Sequence, residues 1–130
     1  MRAHLDTNVL VRHLTGDPPA QAQRATRFLA GAEQLMLADL VVAELVYVLE
    51  SVYRVTRARV AELVRAVLGF APVYSANPDR LRRALDVYEY DRLDFAEAYL
   101  VACAEESGLR TIASFDRAID RVASVQRIEP

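Results

Sequence analysis

The stretch Ala3-His4-Leu5-Asp6-Thr7-Asn8-Val9-Leu10-Val11-Arg12-His13-Leu14 reads as a short buried strand over residues 3–5, an acid at its end, and a helix running to about residue 14. The same alternation continues outward from it. Gly16-Asp17-Pro18-Pro19 punctuates the chain, and 20–29 resumes as a helix. A second strand is expected over 35–37. Residues 40–53 are apolar on nearly every side, which marks a central helix or one buried partly in a partner. Thr56 is placed to cap an amphipathic helix with Val60, Leu63, Val64, Val67 and Leu68 on one face. A third strand is expected over 72–74, and Asn77-Pro78-Asp79 opens a helix to about residue 90. Residues 94–107 read as a helix stopped by Gly108. A strand over 110–113, a short helix over 115–119 and a last strand over 125–128 close the chain. Short apolar strands alternating with helices predict an α/β three-layer sandwich around a short, mainly parallel sheet. Ligands of such sheets bind beyond the carboxyl ends of the strands.

The length of 130 residues predicts a single domain spanning 1–130. Hydrophobic residues make up 53% and charged residues 26%, enough for a real core and too ordered a mixture for a disordered chain. The net charge is −2, so any polyanion must be held by local arginines or by bound metal. Cys103 is the only cysteine, which excludes a disulfide framework and a multi-thiolate zinc site. All 16 basic residues are arginine. With no lysine there is no P-loop lysine, no Schiff base, and no receiver or dehalogenase-type phosphatase that relies on one. His4 and His13 are the only histidines and no G-x-S-x-G occurs, so a serine triad lacks support. Asp6 interrupts any N-terminal signal-like run, and the apolar run over 35–49 is broken by Asp39 and Glu44. A cytoplasmic protein is expected, with no membrane partner.

What remains in abundance is carboxylate. Asp6 and Asp116 each follow a strand, which puts both at one edge of the expected sheet. Each also has a plainer reading as the N-cap of the next helix. Glu44 lies in Leu40-Val41-Val42-Ala43-Glu44-Leu45-Val46-Tyr47, with apolar neighbours throughout. Burying that charge would cost several kcal/mol, on the order expected for an unpaired ion, unless it were paired or metal-bound. An arginine partner or a narrow exposed edge would also account for it. Asp94 and Glu97 share a helix face at i, i+3, and Asp94-Phe95-Ala96-Glu97 is equally a capping box. Carboxylates brought together repel one another and raise each other's pKa unless a hard divalent cation lies between them. A cation so held supports phosphodiester hydrolysis.

These residues, with their order and spacing, resemble the PIN-domain nucleases, and among them the toxin (VapC-type) ribonucleases of bacterial toxin–antitoxin pairs. The carriers are Asp6-Thr7-Asn8-Val9-Leu10, Val42-Ala43-Glu44-Leu45, Asp94-Phe95-Ala96-Glu97-Ala98-Tyr99 and Ser114-Phe115-Asp116-Arg117. The resemblance covers essentially the whole chain. It implies an endoribonuclease dependent on Mg²⁺ or Mn²⁺ and held inactive by a cognate antitoxin. It also implies that Asp6, Glu44 and Asp116 are the first, second and fourth metal ligands. Asn8 and Ser114 match polar positions that orient ligands or water. The third ligand departs from the family's Asp: the matching position is Glu97, and Asp94 matches a secondary acid, so both stand as candidates of equal rank.

Arginines are the expected holders of an RNA backbone: Arg12, Arg92 and Arg117 first, with Arg80, Arg82, Arg83 and Arg110 as further candidates. The run Arg80-Leu81-Arg82-Arg83 also reads as a solvated helix face. The apolar excess over 40–53, with Tyr47 and Tyr53, suits a homodimer face or an antitoxin groove, and equally a plain core helix. Two other readings compete with the ribonuclease. One is a PIN-like scaffold whose acids bind no metal; the other is a nuclease acting on flap or structured DNA, for whose extra helical modules 130 residues leave no room.

Overall fold

Backbone pairing near the N-terminus sets the frame of the computed structural model, which describes residues Met1–Pro130. Strands β1 (Arg2–His4), β2 (Gln34–Met36) and β3 (Val73–Tyr74) form a parallel sheet in that order, with Ala3 opposite Leu35 and Leu35 opposite Val73. Leu5 extends the ladder by one more bond, donating to the Met36 carbonyl at 2.9 Å. Strands β4 (Thr111–Ala113) and β5 (Gln126–Ile128) pair in parallel as a second sheet. Every strand is two or three residues long, as the short apolar runs imply. The chain divides into two compact units, Met1–Ala76 and Asn77–Pro130. No helix is long and apolar enough to cross a membrane.

In the first unit, α1 (Thr7–Thr15) and α2 (Pro19–Gly31) connect β1 to β2, while α3 (Asp39–Ser51) and α4 (Arg57–Leu68) connect β2 to β3. Right-handed crossovers stepping the same way across a parallel sheet place both helix pairs on one face. The contact of α1 with α3 agrees. Gly16 ends α1 in the left-handed region at φ 71°, where a residue with a Cβ is strained. Helix α3, expected either as a central helix or as one buried partly in a partner, is buried along one stripe only. Val42, Leu45, Val46 and Leu49 are buried at i, i+3, i+4 and i+7, whereas Leu40 (78% exposed), Glu44 and Tyr47 (67%) face solvent. The helix is amphipathic in burial without being so in residue type. Thr56 stands at the N-cap of α4 but makes no side-chain cap bond.

In the second unit, α5 (Pro78–Asp86) runs into a π-helical turn, Val87–Asp91, and α6 (Phe95–Ser107) follows. Asn77 caps α5 by accepting from the Arg80 amide at 3.1 Å. Arg92 ends the π turn at φ 61°. Tyr88 is fully buried and meets Phe95 edge-on, with ring centroids 6.2 Å apart.

Ion pairs join α5 to α6. Arg80 bonds Glu106 at 2.7 Å, and Arg83 bonds Glu105 at 2.7 and 3.0 Å. The Ser124 hydroxyl donates to Glu105 as well, tying the approach to β5 into the same group. The Arg83 hydrogen bond is the main cause that holds the Glu105 carboxyl below the usual carboxylate range, against the opposing effect of burial. A carboxylate lowered on folding contributes stability above its unfolded pKa, about 4.3, and loses it as pH falls through the lowered folded value. Urea midpoints should therefore fall between pH 5 and pH 3, roughly the window of carboxylate titration, and fall less steeply in Glu105→Gln. Parallel profiles for the two proteins would contradict this.

Candidate metal and nucleic-acid site

Asp6 stands two residues beyond β1, where extended backbone (φ −87°, ψ 152°) turns into α1. Its Oδ1 accepts the Thr7 amide at 2.9 Å, so the cap reading holds for this carboxylate. Only that oxygen is used, which leaves Oδ2 for another partner. Asp116 repeats the arrangement in the second unit. It is the N-cap of a 3-10 helix, Arg117–Arg121, and its Oδ1 accepts the Ala118 amide at 2.9 Å. Ser114 supports the turn, its hydroxyl accepting the Asp116 amide at 2.9 Å.

Glu44 is exposed on α3, so the desolvation argument from its apolar neighbours does not apply; the narrow exposed edge is what the structure shows. Its carboxylate makes no hydrogen bond or ion pair, and none is made by Asp94 or Glu97. The capping box expected at Asp94 is absent: Asp94 takes the N-cap position of α6 without a side-chain cap bond. Both acids of that first turn are therefore uncommitted, Asp94 exposed and Glu97 half-buried.

No three His, Cys, Asp or Glu side chains gather into a ready-made metal cluster. The donor set nevertheless suits a hard cation, because Mg²⁺ commonly takes only one or two carboxylates and completes its shell with water. A second feature lies beside Asp6. Thr7 is a buried polar residue, 1% exposed, and its Oγ1 has no hydrogen-bond partner in the protein. An unpaired buried hydroxyl costs about 1–3 kcal/mol, and a bound group or its water would relieve that cost.

The arginines divide sharply. Arg80 and Arg83 are committed to Glu106 and Glu105, and Arg110 donates to the Ser124 carbonyl at 3.2 Å. Arg12 donates through Nε to Gln21 at 2.9 Å, and Arg92 and Arg117 are exposed. Sequence reading missed Arg127, whose side chain is 12% exposed. It grips Asp120 with two bonds (3.0 and 3.1 Å), and reaches Glu129 at 3.1 Å and the Ser114 carbonyl at 3.0 Å. It thereby braces the turn that carries Asp116. Its signal was a charge in the middle of the short strand Gln126-Arg127-Ile128, flanked by an apolar residue on the C-terminal side.

Comparison with known families gives one match: the family model described as the PIN domain aligns with residues 3–125, across both units. No curated protein matches the chain.

Proposed function

Because the chain belongs to the PIN domain family, whose members are generally nucleases using divalent metal, we propose that it is a metal-dependent endoribonuclease and the toxin of a toxin–antitoxin pair. The observation that carries this reading is the match over residues 3–125, and the resemblance of Asp6, Glu44, Glu97 and Asp116 to the acids of the family pattern supports it. As a whole the chain is read as one nuclease domain. Asp6, Glu44 and Asp116 are assigned as ligands of Mg²⁺ or Mn²⁺, with Asp94 or Glu97 as the third. Such an ion supplies a water of lowered pKa and neutralises charge building on the phosphorus oxygens.

The residues' own parts follow from their surroundings. Asp6 and Asp116 are each fixed by a cap bond through one oxygen, which sets the direction of the other. Glu44 and Asp116 are the candidates to orient or deprotonate the attacking water. Asn8 and Ser114 orient neighbours by hydrogen bonds. Arg12, Arg92 and Arg117 hold the RNA backbone. The exposed stripe Leu40–Tyr47 of α3 is apolar enough to suit a second copy of the chain or the antitoxin.

The competing reading is a scaffold that binds no metal. Melting in the presence of Mg²⁺ or Mn²⁺ separates the two. A ligand that binds only the folded state at 100 times its Kd adds about 2.7 kcal/mol. The nuclease should melt several degrees higher in millimolar metal, on the order of that linkage, and Glu44→Gln or Asp116→Asn should abolish the rise. A melting temperature unmoved by either ion would support the scaffold.

A further inference from the structure

Helices α1 and α2 flank a shallow, open groove of about 450 Å³ lined by Asn8, Val9, Arg12, Gln21, Arg24, Ala25 and Phe28. The volume falls in the range of about 300–1,000 Å³ typical of ligand sites. The two walls are built by helical spacing. Asn8 and Arg12 stand at i, i+4 on α1, and Gln21, Arg24 and Phe28 at i, i+3, i+7 on α2.

Three properties of this lining point to one ligand chemistry. It carries two guanidiniums and no carboxylate, in a chain whose net charge is −2. Arg12 is held by its Nε bond to Gln21 at 2.9 Å, which leaves the two terminal nitrogens of its fork to face a ligand. Arg24 is exposed and makes no hydrogen bond or ion pair. Phe28, half-buried at the same groove, offers an aromatic face, and unstacked bases of single-stranded RNA bind by stacking on such rings and on arginine planes. Asn8 lies two residues from Asp6, so the groove begins beside the proposed metal ligand. A second groove, mostly apolar with His13 and Thr26 as its polar lining residues, lacks any arginine.

We propose that the α1–α2 groove is a nucleotide subsite, seating a base of single-stranded RNA against Phe28 and a neighbouring phosphate on Arg12 and Arg24. The proposal rests on the ribonuclease reading and deepens it by placing a stretch of the substrate strand. It adds Gln21, Arg24 and Phe28 to the arginines singled out from sequence.

Binding of a fluorescently labelled single-stranded RNA of mixed sequence to the wild-type chain in EDTA, where metal-dependent cleavage is suppressed, tests it. Phe28→Leu keeps an apolar side chain and removes stacking; it should weaken binding by about tenfold, and Phe28→Tyr should restore it. Arg24→Gln should weaken binding and reduce the slope of log affinity against log salt by about 0.7, the single-strand value for one phosphate contact. Arg27→Gln makes the same charge change on the same helix outside the groove and should leave the affinity near wild type. Equal losses in Arg24→Gln and Arg27→Gln would show a general charge effect and overturn the subsite. Wild-type binding that survives both Phe28→Leu and Arg24→Gln would overturn it while leaving the nuclease reading intact. Absence of RNA binding by the wild type, in EDTA and equally when Ca²⁺ replaces it, would overturn both.

Discussion

Asp6→Asn is expected to lower RNA cleavage by more than about 100-fold, the upper end of what losing an outer-shell partner of a metal ligand costs, while the protein stays folded. The reason lies in the two jobs of this side chain. Oδ1 caps α1 by accepting the Thr7 amide at 2.9 Å, and Asn serves at an N-cap about as well as Asp. Loss of the charge at a helix N-terminus costs at most about 1 kcal/mol. What Asn cannot supply is the second anionic oxygen that a hard cation needs. Asp6→Ala separates the two jobs, since it also loses the cap and should cost about 1 kcal/mol more. Circular dichroism melts of both variants beside cleavage assays check this. An Asp6→Asn protein that cleaves RNA at the wild-type rate would reduce Asp6 to a cap, and one that fails to fold would make it a structural residue.

Tyr88→Ala should be the most destabilising of the substitutions considered, at about 3–5 kcal/mol, the range for removing a buried aromatic side chain. Tyr88 is fully buried, so its truncation leaves a cavity in the core. Its edge-on contact with Phe95, at 6.2 Å between centroids, adds a geometric preference of about 0.5–1.5 kcal/mol beyond area burial. That contact also closes the segment between the π turn and α6, which carries Arg92 and Asp94. Tm should drop by roughly 10–20 °C, and Tyr88→Phe, which retains the ring contact, should keep most of the stability. A loss below about 1 kcal/mol would mean the segment is held by other contacts.

Much of the element order was legible because short apolar runs and Gly or Pro punctuation mark strands and helix ends directly. The boundaries slipped for a physical reason. Leu5 and Leu37 are buried and donate ladder-type bonds, so they read as strand, yet the pairing register runs only from Arg2 to His4 and from Gln34 to Met36. Sequence pattern does not distinguish the turn Val87–Asp91 from ordinary helix, since a single i→i+5 turn leaves no trace in hydrophobic periodicity. Glu44 shows a different limit. In a helix apolar on every side, residue type cannot say which side meets solvent, and only the buried stripe Val42, Leu45, Val46 and Leu49 settles it.

The acids themselves stood out in the sequence, and their local roles did not. Capping was expected as readily at Asp94 as at Asp6, yet only Asp6 and Asp116 cap. That difference depends on side-chain direction at the helix entry, which neighbouring residue types do not fix. Arg127 and the unpaired Thr7 hydroxyl were invisible for a similar reason: each matters through what surrounds it in space.

Incubation of a labelled total-RNA pool with the purified chain, in Mg²⁺, in Mn²⁺ and in EDTA, tests the central claim most directly. The account predicts discrete fragments with at least one of the two ions and intact RNA in EDTA. Fragments that persist in EDTA would contradict it, as would intact RNA throughout together with a melting temperature that neither ion moves.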